Sequence, residues 1–315
     1  MSGRILVIGG GGFLGRVFCR QLAARAEVVA FDSVARLARL GGLEIARRRY
    51  EYGLDEPDVI DCRPGDRAVI FSWRGYPAAH ELEPLRHLSL NLEHTLALAA
   101  SLIRRGIGRI VYASTGGAVY GHCGERLVTE ETKPEPVGFY GIGKLAAESY
   151  VRKVASEANR DHFILRIGNA YGPGQLEDNL SVGLVARAVQ AAVSGTELEV
   201  WGVDEIFRDY VHAEDVAAAF AGAALRPGLI SGVYNVGSGI SLSGREVLRQ
   251  VEAALGRRVR TLERAAREFD VKRVGLDATR LREATGWKPT FSLKDGIVDL
   301  FKKMQTICTT NSPKA

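Results

Sequence analysis

Short apolar runs alternate with longer amphipathic stretches along the first half of the chain. RILVI (4–8) is strand-length, and FLGRVFCRQLAA (13–24) repeats its apolar residues at helical spacing. EVVAF (27–31), RAVIF (67–71), RIVYAS (109–114) and HFILRIG (162–168) predict further strands. LSLNLEHTLALAASLIRR (88–105) and YGIGKLAAESYVRKVAS (140–156) predict helices. Apolar strands that alternate with helices predict an α/β fold with a parallel sheet covered on both faces. After Gly168 the texture changes. NAYGPGQ predicts a loop, and LEVWG, AEDVAAAFAGAAL, GVYNVG and REVLRQVEAALG mix short strands with helices. We expect a first domain over 1–168, with 205–230 crossing back to it. A smaller second lobe is expected from 169–204 and 231–304, and a polar, frayed tail over 305–315.

Composition narrows the function classes. The chain has 315 residues, 46% of them hydrophobic, enough for a large core. Its 42 basic and 37 acidic residues leave a net charge of +5, and the densest basic run is only Arg47 to Arg49. That pattern predicts solvated arginines and no nucleic-acid partner. No apolar run reaches eighteen residues, so no membrane span is expected. Cys19, Cys62, Cys123 and Cys308 are scattered, which suits reduced thiols and a cytoplasmic protein. His80, His87 and His94 recur every seven residues, but Pro84 interrupts them and ligands on one helix lie closer together. A structural role is expected for them and no metal site.

VIGGGGFLG follows the first strand and opens the first helix. Gly9, Gly12 and Gly15 fit G-x-x-G-x-x-G, and Gly10, Gly12 and Gly15 fit G-x-G-x-x-G. Glycines there let the backbone turn tightly and approach a pyrophosphate seated on the helix N-terminus. Asp32 ends the next strand, 17 residues beyond Gly15. A carboxylate there accepts from the ribose hydroxyls and repels a 2′-phosphate, which favours NAD over NADP, although Arg36 lies close by in sequence.

Tyr140 and Lys144 stand four apart at a helix start, on one face. A phenol titrates near pH 10, and bringing it to neutrality takes roughly 4 kcal/mol. One cation about 5 Å away supplies on the order of 3 kcal/mol at an effective dielectric of about 20. Lys144 together with an oxidised nicotinamide would make Tyr140 a usable base.

With these residues in place, the chain resembles the extended short-chain dehydrogenase/reductase family, specifically its NAD-dependent sugar-nucleotide epimerases and dehydratases. GGGGFLG, STGGAVYG, FYGIGK, LRIGNAYGPGQ, WGVDEIFRDYVHAEDV, VYNVGSG and TGWKPTFSL come in family order over nearly the whole length. The resemblance implies a Rossmann-type doubly wound sheet with a C-terminal substrate lobe, NAD as cofactor and a nucleotide sugar as substrate. It implies that Tyr140 takes a sugar hydroxyl proton, that Lys144 lowers its pKa and holds the nicotinamide ribose, and that a hydroxyl near Thr115 assists. The implied cofactor contacts are Gly9, Gly12, Phe13, Leu14, Gly15, Asp32, Ser33, Asn91, Ser114, Tyr140 and Lys144. Thr115, Asn169, Asn179, Arg208 and Arg267 are the implied substrate contacts. The resemblance also implies a homodimer through the apolar faces of LALAASLI and LAAESYV.

Departures from the family sharpen the reading. The family's usual catalytic hydroxyl aligns with Gly116, so Thr115 is the first candidate donor and Ser114 the second. Dehydratases of the family carry an Asp-Glu pair after the catalytic threonine; here Gly116 and Gly117 stand there. That favours 4-epimerisation of a UDP-hexose through a 4-keto intermediate. Val274, where a bulkier tyrosine can stand, leaves room for an N-acetyl group. In FSWRGYPAA (71–79), Trp73 and Arg74 replace small residues, which predicts a loop path over the cofactor or substrate. His94 stands where a glycine is common. The alternatives are a nucleotide-sugar reductase or dehydrogenase, and a non-catalytic NAD-binding regulator.

Overall fold

A computed structural model describes residues 3–175 and 183–310, with side chains up to 305. The expected substrate contact Asn179 lies outside the described residues. Strands β1 (Ile5–Ile8), β2 (Val28–Asp32), β3 (Ala46–Arg49), β4 (Arg67–Ile70), β5 (Arg109–Thr115) and β6 (Asp161–Ile167) are followed by β7 (Asn169–Tyr171), β8 (Leu198–Trp201) and β9 (Phe207–His212). Strands β10 (Gly232–Val236), β11 (Ser241–Ser243) and β12 (Thr261–Arg264) complete the set.

Seven strands form one parallel sheet in the order β10-β6-β5-β4-β1-β2-β3. The physical reason is visible in β1. Ile5 and Val7 face one side, in a core shared with Val17, Phe18 and Leu22 of the helix Phe13–Leu22 and Val216 and Phe220 of the helix Ala213–Leu225. Leu6 and Ile8 face the other, with Leu98 and Leu102 of His94–Arg104 and Ala147 and Val151 of Phe139–Glu157. All four β1 side chains are fully buried, each worth about 1.5–3 kcal/mol in transfer from water. A strand covered on both faces has no polar alternation, which is why its sequence is apolar throughout.

The chain runs outward from β1 to β3 and then returns to β4 on the other side of β1. Between β1 and β4 the direction of winding reverses. In open α/β sheets the crevice at the carboxyl ends of such strands is where ligands bind. The glycine run leaves β1 there, Trp73 and Arg74 follow β4, and Thr115 ends β5.

The smaller part holds a three-stranded sheet, β11-β9-β7, and the pair β12-β8. Helices Leu184–Ser194, Gly244–Leu255 and Leu293–Thr310 close a separate core around Val185, Val189, Val251, Ile297 and Leu300. Gly244–Leu255 is sharply delimited. Ser243 accepts from the Glu246 N–H at 3.1 Å, and Glu246 accepts from the Ser243 N–H at 2.6 Å. Gly256 ends it at φ 63°.

Three boundaries differ from expectation. Within 205–230 the helix Ala213–Leu225 packs on the large sheet, while β9 pairs with β7 and β11. Residues 232–236, expected in the substrate lobe, are β10 and pair with β6. The arginine run is the edge strand β3, whose exposed charges discourage pairing with another chain. The last helix continues to Thr310, beyond the expected start of the tail. No described helix is long and apolar enough to cross a membrane.

Candidate active site

The turn after β1 is tied to β2. The Gly9 and Gly10 N–H groups donate to the Phe31 carbonyl at 2.8 and 3.2 Å. Gly9 has φ 86°, a conformation open to glycine. A Cβ on Gly15 would lie 2.0 Å from the Gly9 carbonyl oxygen, so the helix starts directly against the turn. Gly12 is the N-cap and offers no side-chain cap to the helix. Gly12, Phe13 and Leu14 are half-buried. The Asp32 carboxylate accepts from the Gly11 N–H at 3.0 Å and the Ser33 N–H at 2.8 Å. Ser33 caps the short helix Val34–Leu37 through its side chain. A backbone cradle that side chains would fill, a helix N-terminus without a side-chain cap and an adjacent carboxylate fit a dinucleotide. Arg16, absent from the expected set, is buried and donates to the Gly174 carbonyl at 2.8 Å, fastening this helix to the loop after β7.

Tyr140 and Lys144 sit in the first turns of Phe139–Glu157. Lys144 is 4% exposed and donates to the Ala113 carbonyl at 2.9 Å, with the Tyr112 hydroxyl at 3.5 Å. Burial pushes its ammonium down to about 7, opposed by the negative charge of Glu148. Desolvation pushes the Tyr140 phenol up to about 12. As the protein stands, Tyr140 is therefore a proton donor at neutral pH and Lys144 titrates close to it. The phenol becomes basic only when further positive charge reaches it.

The Lys144 ammonium also lies 4.1 Å from the Trp73 ring centre. Trp73 stacks parallel to His80, which stacks on His87 at 4.1 Å, and Tyr140 points its ring edge at both Trp73 and His80. Asn91, in a π-helical stretch Leu88–Glu93, is fully buried. Its amide accepts from the Arg74 N–H at 2.6 Å and donates to the Arg74 carbonyl at 2.9 Å and the His87 carbonyl at 3.0 Å. In this structure the polar side-chain atoms of Asn91, expected at the cofactor, are engaged by the chain after β4 and by His87. His94 bonds the Tyr50 hydroxyl, away from this cluster.

Ser114, also expected at the cofactor, is likewise engaged within the protein. It is buried, and its hydroxyl donates to Glu148, which also holds Arg166 in an ion pair at 2.7 Å. Thr115 is half-buried and places no side-chain cap on the short helix Gly116–Val119 that follows it. A Cβ on Gly117 would lie 3.0 Å from Asn169 Oδ1 and 3.8 Å from Thr115 Oγ1, so these two polar groups converge on that glycine. A Cβ on Gly116 would point elsewhere, 2.6 Å from a methyl of Leu276.

The two expected diphosphate arginines share a neighbourhood. Arg208 donates to the Phe207 carbonyl at 3.0 Å and to the Val271 carbonyl, and burial, then the charge of Arg267, push its pKa down. Arg267 pairs with Asp270 at 2.9 Å and lies over the rings of Phe269 and Trp201. Asp209 was not foreseen. Fully buried, it accepts from the N–H groups of Ser238, Gly239 and Leu276 and fastens the turn after β10. Val274 is 1% exposed, in an apolar cluster with Val119, Tyr120 and Leu276. It opens no space, and the reason for expecting an N-acetyl pocket falls with it.

Residues 5–237 match the family model described as the NAD dependent epimerase/dehydratase family. A UDP-glucose 4-epimerase of Mycolicibacterium smegmatis is 29% identical over 306 residues, 93% of this chain and 96% of the relative. A GDP-6-deoxy-D-mannose reductase of Pseudomonas aeruginosa is 30% identical over 312 residues, 94% of this chain and 95% of the relative. The crystal structure of Thermus thermophilus UDP-glucose 4-epimerase in complex with NAD superposes with a TM-score of 0.88 at 29% identity, covering 96% of this chain and 99% of that one. With the family model spanning well over half its length, and with the glycine cradle, Asp32 and the start of the Tyr140–Lys144 helix gathered toward the carboxyl ends of β1, β2 and β5, the chain belongs to the NAD-dependent epimerase/dehydratase family.

Proposed function

We propose that this chain catalyses 4-epimerisation of a nucleotide-activated hexose, a UDP-hexose in the first instance, through a transient 4-keto sugar. Gly9, Gly12, Gly15 and Asp32 would hold NAD, whose nicotinamide accepts and returns a hydride and carries positive charge when oxidised. Tyr140 removes the proton of the sugar hydroxyl and gives it back. Lys144, one helical turn from Tyr140, would supply positive charge to the phenol, which desolvation otherwise keeps neutral. Thr115 donates a hydrogen bond to the sugar oxygen, since Ser114 is engaged by Glu148. Arg208 and Arg267 supply positive charge to the diphosphate.

The observation that carries this reading is the glycine pair. Expulsion of water requires an acid and a base beside the hydroxyl strand end. Position 116 faces Leu276 and position 117 faces Asn169, so neither has room for a carboxylate without displacing a neighbour. Hydride removal and return need no such pair.

A second reading, reduction of a keto nucleotide sugar, is favoured by the 30% identity to a reductase. One experiment separates the two. The purified protein is incubated with UDP-glucose, the C4 epimers are separated, and reduced nicotinamide is followed by absorbance. Epimer formation without net reduced nicotinamide is expected. Stoichiometric oxidation of NADH with a keto sugar, and no epimer from UDP-glucose or other UDP-hexoses, would replace the proposal by the second reading. A homodimer through Phe139–Glu157 is part of the proposal, since Ile142 and Tyr150 are 49% and 45% exposed on that helix. A monomeric mass in solution would remove it.

A further inference from the structure

The loop after β4 carries the clearest departure from the family pattern, and catalysis as proposed leaves Trp73 without a role. Its surroundings point to one. The Lys144 ammonium is closed on every side that the structure shows. The Ala113 carbonyl accepts one hydrogen bond, the Tyr112 hydroxyl stands at 3.5 Å, and the Tyr112 and Trp73 rings lie 4.9 and 4.1 Å away. Only 4% of the residue reaches solvent. The function proposed above requires Lys144 to meet a ribose hydroxyl, and in this structure the indole lies on the ammonium instead.

Of these groups, Ala113 and Tyr112 belong to β5 in the middle of the sheet, Tyr112 paired with both β4 and β6 and Ala113 with β6. Trp73 belongs to a segment without regular structure. The backbone beside it is nonetheless fixed. Asn91 brackets Arg74 from both its N–H and its carbonyl, the Arg74 guanidinium donates to the Tyr52 carbonyl at 2.5 Å, and Gly75 has φ 86° with His87 packed against it. With the backbone anchored, the indole, whose Nε1–H donates to His80 Nε2 at 3.3 Å, is the part left to turn about its side-chain bonds. A Cβ on Gly143 would lie 3.5 Å from the Trp73 ring edge, so the first turns of Phe139–Glu157 run beside the indole.

We propose that Trp73 is a cover over Lys144, held by its contact with the ammonium and by stacking on His80, and that it swings aside when the nicotinamide-side ribose of a dinucleotide takes its place. This rests on the NAD reading above. Cation–π contact in a desolvated site is strong enough to make the closed form dominant, and opening it then weakens apparent binding by the ratio of closed to open forms.

The test uses fragments of the dinucleotide, on protein from which any bound nucleotide has been removed. NAD and ADP-ribose carry the second ribose; ADP does not. The chain has three tryptophans, so the Trp73 signal is the part of the fluorescence lost in Trp73→Phe. We expect NAD and ADP-ribose to raise acrylamide quenching of that signal at least twofold, and ADP, bound at the same glycine turn, to leave it unchanged. Trp73→Ala is expected to bind NAD roughly tenfold more tightly by calorimetry. Unchanged Trp73 quenching at saturating NAD would overturn the gate while leaving NAD binding intact. Weaker NAD binding by Trp73→Ala would make the indole a platform for the dinucleotide and also overturn it. Absence of NAD binding by the parent protein would overturn the cofactor reading and the gate with it. Should Trp73→Ala fail to fold, the quenching comparison between parent and Trp73→Phe still decides.

Discussion

At the scale of single residues, the choice of hydroxyl is a question of which side chain is already engaged. Ser114 and Thr115 are adjacent, and in an extended strand adjacent side chains face opposite sides. Ser114 shares its side with Ile110 and Tyr112, which pack toward the helix Phe139–Glu157, and there it meets Glu148. Replacing Thr115 by Val is expected to lower kcat roughly 10–100-fold, the value of a hydrogen bond to a developing charge, with little change in Tm. Ser114→Ala should do the reverse, keeping kcat within a few-fold while costing about 1–3 kcal/mol in denaturant unfolding, because Glu148 loses a buried donor. If Ser114→Ala abolishes turnover in a stable protein and Thr115→Val does not, the assignment is reversed. Tyr140→Phe should lose roughly 100–10,000-fold in kcat with the fold intact by circular dichroism. The alternation along β5 is in the sequence; Glu148 as the partner is not, since 34 residues separate the two.

At the scale of elements, the glycines are places where one piece of backbone meets another. Gly15 touches the Gly9 carbonyl, so Gly15→Ala forces the first helix off the turn. It should weaken NAD binding at least tenfold and lower Tm, measured by calorimetry and thermal melting. Restoring the family's hydroxyl by Gly116→Ser is a more discriminating test. The new side chain would run into Leu276 rather than toward Tyr140. No gain in kcat is expected, and a loss of about 1–3 kcal/mol in stability is; a more active variant would show that the strand end bends differently in solution. The strands β1, β2, β4, β5 and β6 and the helices after β1 and before β6 were legible, because burial on two faces or one leaves a periodic record in the residues. Strand β3 was not. Its sequence is three arginines after an alanine, and only the neighbouring β2 makes it a strand.

At the scale of the whole molecule, buried histidines couple stability to pH. Burial holds His80 and His94 down at about 4, and His212 below its ordinary value. In the unfolded chain each takes its proton near pH 6.5. Between those values the unfolded state binds more protons, so stability rises with pH and is lost as pH falls from about 6.5 through about 4. His80 and His94 should each contribute about 1–3 kcal/mol of that loss. Thermal melting is expected to show a Tm that drops by several degrees between pH 7 and pH 4.5, with a smaller drop in His80→Phe. A Tm constant across this range would contradict it.

The residues alone determined a parallel sheet covered on both faces, the glycine turn with its carboxylate and the Tyr140–Lys144 pair, because each is written in local spacing: apolar runs of strand length and a helical period for burial, three and six for the turn, four for a helix face. Tertiary structure decided which side chains remain available. It turned Ser114 to Glu148 and Asn91 to Arg74, laid Trp73 on Lys144, closed Val274 into apolar contacts and carried residues 232–236 across to β6. Those outcomes depend on contacts between segments tens of residues apart, where spacing along the chain carries no distance in space.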